Sequence, residues 1–318
     1  MDAAADLTPV PYNALVLQQR SAKCKADIEG VCDMKQFVKK ALCAAMALIL
    51  VSGVACAEFD AGKSIDVISR EDGSGTRGAF IELTGVEQKI DDKKVDMTTE
   101  DAQITNNTAV MLTTVAGDAQ AIGYVSLGSL NDSVKAVRIE GVEATAANVA
   151  DGSYKVARPF NIAYREAALS ELGADFIAYI MSAEGQAIVN ANGYVGADAA
   201  DAFAGAAPAG KLVIAGSSSV SPVMEKLAES YMALNAQAQI EIQTSDSTTG
   251  MTAAIDGSCE IGMASRELKE NEAAELTSLV IAMDGIAVIV NNENPLEELT
   301  VAQIAAIYTG EATRWNEI

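Results

Sequence analysis

Asp66-Val67-Ile68-Ser69-Arg70-Glu71-Asp72-Gly73-Ser74-Gly75-Thr76-Arg77-Gly78-Ala79-Phe80 is the stretch on which the reading of the fold turns. Ile65–Ser69 is apolar and β-branched enough to be a strand. Arg70–Gly75 is a glycine-bearing loop, and from Thr76 to Leu83 the residues Ala79, Phe80 and Leu83 share one face at helical spacing. A strand that runs through such a loop into a helix start gathers small hydroxyls and bare backbone N–H groups. An oxyanion is stabilised there without a full countercharge. Far downstream, Gly216-Ser217-Ser218-Ser219-Val220-Ser221-Pro222 repeats the device. Lys211–Ala215 is the strand before it, Pro222 suits the first turn of a helix, and Val223, Leu227 and Tyr231 form that helix's inner face.

Working outward, strands and helices alternate, which predicts an α/β class. Ala121–Val125, Val134–Ile139, Arg158–Ile162 and Ile240–Gln243 read as extended. Ile286–Val290 is a continuous apolar run, as in a covered parallel sheet. Helices are expected over Leu169–Met181, Ser182–Asn192, Thr248–Ile255 and Val301–Tyr308, Thr108–Ala116 reads as a helix or turn, and residues 88–104 read as polar surface. Residues 196–210, small and weakly acidic, are the best linker.

Hydroxyls stand at expected helix starts in four loops: Ser74/Thr76, Ser218/Ser219, Ser247/Thr248 and Ser265. For any one loop, helix capping alone accounts for them. Four together, two flanked by glycine, favour a ligand, and Arg70 supplies a guanidinium that can hold two oxygens at once. A salt bridge to Asp72 is the competing use of Arg70, and Asp72 can also orient it. Gly62-Lys63-Ser64 imitates the end of a phosphate-binding P-loop, but Ala57 stands where the loop needs glycine and a strand follows.

Composition excludes several classes. The formal charge is −22, which repels nucleic acid and anionic lipid. There is no histidine, which removes Ser-His-Asp and Cys-His catalysis and most zinc sites. No cofactor or metal is expected, nor an enzyme. Cys24, Cys32, Cys43, Cys56 and Cys259 contain no CxxC pair, so a disulfide framework is not expected. Met34–Lys40 is basic, Ala41–Val54 is mostly apolar, and Ala55-Cys56-Ala57 is a small-x-small exit: a secretory signal over 34–57. Met34 is then the expected initiator, with residues 1–33 a start-site artefact or disordered, and Cys56 offers a possible lipid anchor. Six of the 22 basic and five of the 44 acidic residues fall in 1–57, so the remainder carries −23. An exported protein is expected, periplasmic or at the cell surface.

Asp66–Phe80 resembles the signature of the phosphate-binding proteins that serve high-affinity phosphate ABC importers. Gly216–Pro222, "TSDSTTG" at Thr244–Gly250 and "EIGMASRELK" at Glu260–Lys269 are similar to further loops of that family, as are "AMDGIAVIVN" and the stretch from Leu299 to Ile318. The order departs from the family as a whole: the Gly216 segment is there the first, and the Arg70 segment follows the Trp315 segment. Circular permutation and a fragment of a tandem array both fit. The resemblance implies a two-lobed clamp of the periplasmic-binding-protein type (type II), with 63–157 plus 289–318 as one lobe and 158–195 plus 211–288 as the other. It implies inorganic phosphate as ligand, a membrane permease as partner and a monomer. Carried over as phosphate-binding residues are Arg70, Ser74, Gly75 and Thr76 from one lobe, and Ser218, Ser219, Val220 through its N–H, Ser247 and Ser265 from the other. Better-known members have a carboxylate matching Ser265, which accepts the proton of hydrogen phosphate and disfavours sulfate. Asp72 or Asp246 are the candidates to replace it. Another oxyanion such as sulfate, a secreted serine-dependent hydrolase, and an incomplete fragment of a tandem binding protein remain as alternatives.

Overall fold

The computed structural model describes residues 58–197 and 201–318. The expected signal segment, Cys56 and residues 1–33 lie outside them, as does part of the expected linker. The architecture is a ten-stranded mixed sheet with helices packed on it. Its strands along the main path are β1 (Asp66–Arg70), β2 (Gln103–Thr105), β3 (Ala121–Ser126), β4 (Ala157–Tyr164), β5 (Gly210–Ser217), β6 (Ala238–Ser245), β7 (Ile261–Ala264) and β8 (Thr277–Val290). They lie in the order β6-β5-β7-β4-β8-β3-β1-β2. The helices that matter here are α1 (Gly75–Thr84), α2 (Thr108–Gly117), α3 (Glu171–Ile180), α4 (Ala183–Ala191), α5 (Ser221–Leu234), α6 (Ser247–Asp256) and α7 (Val301–Thr309).

Strand β8 organises the sheet. Its first part, Thr277–Gly285, pairs antiparallel with β4, and its last part, Ile286–Val290, pairs antiparallel with β3. One strand therefore belongs to two halves and changes partner at Gly285/Ile286. Beyond it, β5 runs parallel to β6 and β7 in one half, and β1 runs parallel to β2 and β3 in the other. The Ile286–Val290 run was expected in a parallel sheet. It is instead the end of a much longer antiparallel strand, fully buried because helices cover both of its faces, the same burial that makes parallel strands apolar. Polar Thr277, Ser278 and Asp284 hid the rest of it from a periodicity reading. Residues 88–104, expected as surface only, carry a hairpin of Glu87–Ile90 with Lys93–Asp96 and the edge strand β2.

Each half has its own apolar core. In one, Phe176, Leu212, Ile214, Leu227, Tyr231 and Ile261 pack together under α3 and α5. In the other, Phe80, Tyr124, Val288, Ile304 and Tyr308 do so under α1 and α7. Phe80 stacks on Tyr124 with ring centroids 4.0 Å apart and meets Tyr308 edge-on at 4.8 Å. Phe203, within the expected linker, packs on Tyr179 and Tyr231, so that part of the segment lies against the core.

Candidate functional site: a buried clamp of hydroxyls and guanidinium groups

Three helix starts converge where the two halves meet. In the first half, β1 ends at Arg70 and α1 begins at Gly75, with Ser74 as N-cap accepting from the Arg77 N–H at 3.3 Å. Gly73 (φ 89°) makes the left-handed bend that lets the chain turn so tightly. In the second half, β5 ends at Ser217 and α5 starts at Ser221. There Gly216 has φ 135°, and a Cβ on it meets the Met263 carbonyl oxygen at 2.3 Å. Helix α6 starts at Ser247, capped by Asp246, whose Oδ1 accepts from the Thr249 N–H at 2.9 Å.

The guanidinium loop and the triple-serine turn meet directly. Arg70 Nη2 donates to Ser218 Oγ at 3.1 Å, and Nη1 reaches Thr108 Oγ1 at 3.5 Å. Thr76 Oγ1 lies 2.8 Å from Ser219 Oγ and 3.4 Å from Ser265 Oγ. Thr108 Oγ1 lies 3.2 Å from Ser218 Oγ and 3.3 Å from Ser219 Oγ. Ser247 Oγ accepts from the Ser265 N–H at 3.0 Å, and Ser217 Oγ donates to Ser265 Oγ at 3.0 Å. Gly75 sits so close to this group that an added Cβ meets Ser247 Oγ at 2.4 Å and Ser265 Oγ at 2.8 Å. Arg70, Ser74, Gly75, Thr76, Ser218, Ser219, Val220, Ser247 and Ser265 are all buried. Thus residues 143 and 148 positions apart in sequence become hydrogen-bonded neighbours.

Of the expected supporting carboxylates, Asp246 stands at the rim of the cluster beside Gly73 and Asp72 turns outward. Arg70 pairs with Glu71, not Asp72: Nε donates to Oε2 at 2.7 Å and Nη2 to Oε1 at 2.8 Å. The Asp72 side chain is 98% exposed and pairs with Arg77 at 2.6 Å, because its position in the loop turns it outward. Asp246 has its two oxygens on Thr249, as a helix cap. Val220 is buried, but its N–H donates to the Ser217 carbonyl at 3.0 Å in the turn that starts α5.

Thr108, Glu71, Arg158 and Asp284 belong to this centre and were missed from sequence. Arg158, on β4, donates through Nε to the Ser265 carbonyl at 2.8 Å and through Nη2 to Thr76 Oγ1 at 2.9 Å. Its Nη1 donates to Asp284 on β8. Burial pushes the Asp284 carboxyl up, against the pull of Arg158, Ser126 and the Gly128 N–H. Burial likewise pushes the Arg158 guanidinium down, against the pull of Asp284. The available signal was a lone charge inside each of two otherwise apolar runs, since buried charges of opposite sign come in pairs. Thr108 was placed at a helix start but had no glycine beside it to draw notice.

Behind the loop, the Arg70 N–H donates to Tyr124 Oη at 3.2 Å, and Ser69 Oγ lies 3.0 Å from the same oxygen. Burial pushes the Tyr124 phenol up to about 12. A cleft of about 810 Å³, lined among others by Asn107, Thr108, Ser218, Ser221 and Thr244, opens on one side of the clamp. A smaller one of about 180 Å³ opens on the other, lined by Ser74, Arg77, Thr248, Arg266 and Lys269 among others. Chemically the centre offers hydroxyl and guanidinium donors. No imidazole exists to activate a serine. Cys259 is buried, with its thiol pushed up to about 11 by burial. Among the described residues no group of three or more potential ligands could hold a metal.

The model of the PBP superfamily domain matches residues 9–184 and 201–317. The Phosphate-binding protein PstS 2 of Streptococcus agalactiae is 50% identical over 285 residues, spanning 86% of this chain and 97% of that protein. The Phosphate-binding protein PstS 2 of Streptococcus pneumoniae is 44% identical over 290 residues, spanning 89% and 99%. A crystal structure of a phosphate-binding protein of a phosphate ABC transporter from S. pneumoniae is similar with a TM-score of 0.64 and 47% identity, over 80% of this chain and 99% of that one. The chain belongs to the PBP superfamily and, within it, to the family of the PstS phosphate-binding proteins.

Proposed function

We propose that this chain binds inorganic phosphate between the two halves of its sheet and delivers it to the membrane permease of an ABC importer. The observation that carries the reading is the meeting of the Arg70 loop with the Ser217–Ser219 turn in one buried cluster of donors. Arg70, Ser74, Gly75, Thr76, Ser218, Ser219, Ser247 and Ser265 supply the cage, joined by Thr108. Each charge-assisted hydrogen bond contributes about 1.5–3 kcal/mol, so a few of them suffice for micromolar or tighter binding. The halves act as lobes that open about the partner change in β8 and close over the anion, as in hinge closure generally. The protein acts outside the cytoplasm as a monomer and is not an enzyme. The names of the relatives, phosphate-binding proteins, support the phosphate and transport part of that reading.

A single match through 97% of the S. agalactiae relative supports a segment order common to both chains, and so a complete site within one chain rather than a remnant of a tandem array. A thermal melt with phosphate, sulfate and no anion tests the function. Phosphate is expected to raise the melting temperature in proportion to the logarithm of its concentration above Kd. No shift at millimolar phosphate defeats the reading. Ser265 favours a second reading, an oxyanion cage that also takes sulfate, because a serine hydroxyl can donate as well as accept. Equal shifts with sulfate and phosphate at one pH establish it.

A further inference from the structure

Thr76 Oγ1 has an Arg158 N–H on one side at 2.9 Å and the Ser219 hydroxyl on the other at 2.8 Å. A guanidinium only donates. Thr76 therefore receives one hydrogen bond from Arg158, and its own hydrogen is left to point into the cage. Arg158 cannot swing away from this duty. Its Nε is tied to the Ser265 carbonyl, its Nη1 to Asp284, and its guanidinium lies 5.1 Å from the centre of the Phe160 ring. It stands on β4 in one half, while Thr76 opens α1 in the other. We propose that Arg158, held by Asp284, is a positioning residue for phosphate binding: it fixes the Thr76 hydroxyl as a donor toward the anion and ties that donor to the strand shared by the two halves.

The cost of the arrangement argues for a role beyond stability. Arg158 and Asp284 are almost wholly buried, and a buried ion pair is often no more stabilising than apolar residues of like volume. Asp284 also faces Ser126 and the Gly128 N–H, and Tyr194 faces Ser126 and Ser129, so a polar cluster is buried where β8 changes partner. Burying so many polar groups gains little stability over an apolar core, whereas a carboxylate that must aim a guanidinium has a use for such support.

The inference rests on the phosphate reading, and the test separates the two. Phosphate affinity is measured by titration calorimetry for the parent, for Thr76→Val, for the paired replacement Arg158→Met with Asp284→Leu, and for all three together. The paired replacement leaves no lone buried charge. It is expected to weaken phosphate binding about 10-fold or more, the loss of one charge-assisted bond. In the Thr76→Val background the same replacement should cost less than about threefold, because residues acting through one another are not additive. Arg158→Lys, which keeps the charge beside Asp284 but cannot reach all three partners, should also bind at least about fivefold more weakly. A parent that takes up no phosphate removes the functional reading and this inference with it. A parent that binds, with a paired replacement or an Arg158→Lys variant that binds equally well, overturns the positioning role alone. So does a loss just as large in the Thr76→Val background, which marks a general structural effect.

Discussion

Gly75→Ala should uncouple binding from stability. Gly75 opens α1 and has no positive φ, so alanine suits its backbone and is the better helix former by up to about 1 kcal/mol. The new Cβ, however, points across the clamp. It lies 2.4 Å from Ser247 Oγ and 2.8 Å from Ser265 Oγ, both from the other half, against 3.4 Å for an ordinary contact. Relief needs a separation of about 1 Å. The Thr76–Ser219 contact of 2.8 Å then becomes about 3.8 Å, outside hydrogen-bond range. The alternative is rotation of the two hydroxyls, and Ser247 Oγ then abandons the Ser265 N–H it now accepts at 3.0 Å. Either way the anion loses about two charge-assisted bonds, about 3–6 kcal/mol, or about 10²–10⁴-fold in Kd. Calorimetric titration with phosphate reads the affinity, and a melt without phosphate reads the fold. The expected result is binding nearly abolished in a protein that still folds, with the melting temperature lowered by no more than the equivalent of about 1–3 kcal/mol, the cost of one displaced buried hydrogen bond. Phosphate binding within threefold of the parent would falsify the closed clamp as the binding state.

Other substitutions probe separate parts of the design. Arg70→Ala removes the guanidinium that holds Ser218 and leaves Glu71 without its partner, so phosphate affinity should fall about 100-fold or more; parental affinity in a titration excludes Arg70 from the site. Gly216→Ala should do the opposite of Gly75→Ala. Its Cβ meets the Met263 backbone within one half at a φ of 135°, and the melting temperature without ligand should drop by the equivalent of about 2 kcal/mol or more. Tyr124→Phe leaves the buried Arg70 N–H without an acceptor and should cost about 1–3 kcal/mol in a denaturant titration. It should also flatten the alkaline limb of stability. The folded phenol keeps its proton up to about 12 while the unfolded one releases it near 10.0, so the parent loses stability as pH rises through that window.

How much of this was legible in the sequence depends on whether the signal was local. The loop from Arg70 to Thr76 and the serine turn from Ser217 to Ser219 announce themselves, because glycine and small hydroxyls at a strand-to-helix turn have few other uses. Helices α6 and α7 were found within a residue or two, as was the start of α5, since periodic apolar faces and capping residues carry them. What escaped was long-range. Nothing near Arg70 distinguishes Glu71 from Asp72 as its partner; only the loop's turn decides, by sending Asp72 into solvent. Arg158 and Asp284 are 126 positions apart and meet only because β4 and β8 pair in register, Arg158 opposite Asp284. The full length of β8 was hidden because its two parts answer to different neighbours, one polar and alternating, the other apolar and covered. A strand that serves two halves has no single pattern to recognise.

The charge of the molecule sharpens the question of how it takes up an anion at all. The chain carries −22, and each guanidinium of the clamp already has its own carboxylate, Arg70 with Glu71 and Arg158 with Asp284. At the smaller cleft, Arg77 is paired with Asp72 and Asp96, and Arg266 with Glu272. No net positive field is left to draw phosphate in from a distance. Stabilisation must come from hydroxyl dipoles and helix starts at contact range, where screening by salt is weak. Long-range repulsion is screened, with a Debye length that falls from about 30 Å at 0.01 M to about 8 Å at 0.15 M. Raising the concentration of an inert salt across that range should therefore speed association of phosphate, measured by stopped-flow fluorescence of Trp315, and leave dissociation nearly unchanged. Association that slows with salt requires a positive entry path. The cations of the smaller cleft then outweigh the rest of the surface, and local neutrality is the wrong account of the site.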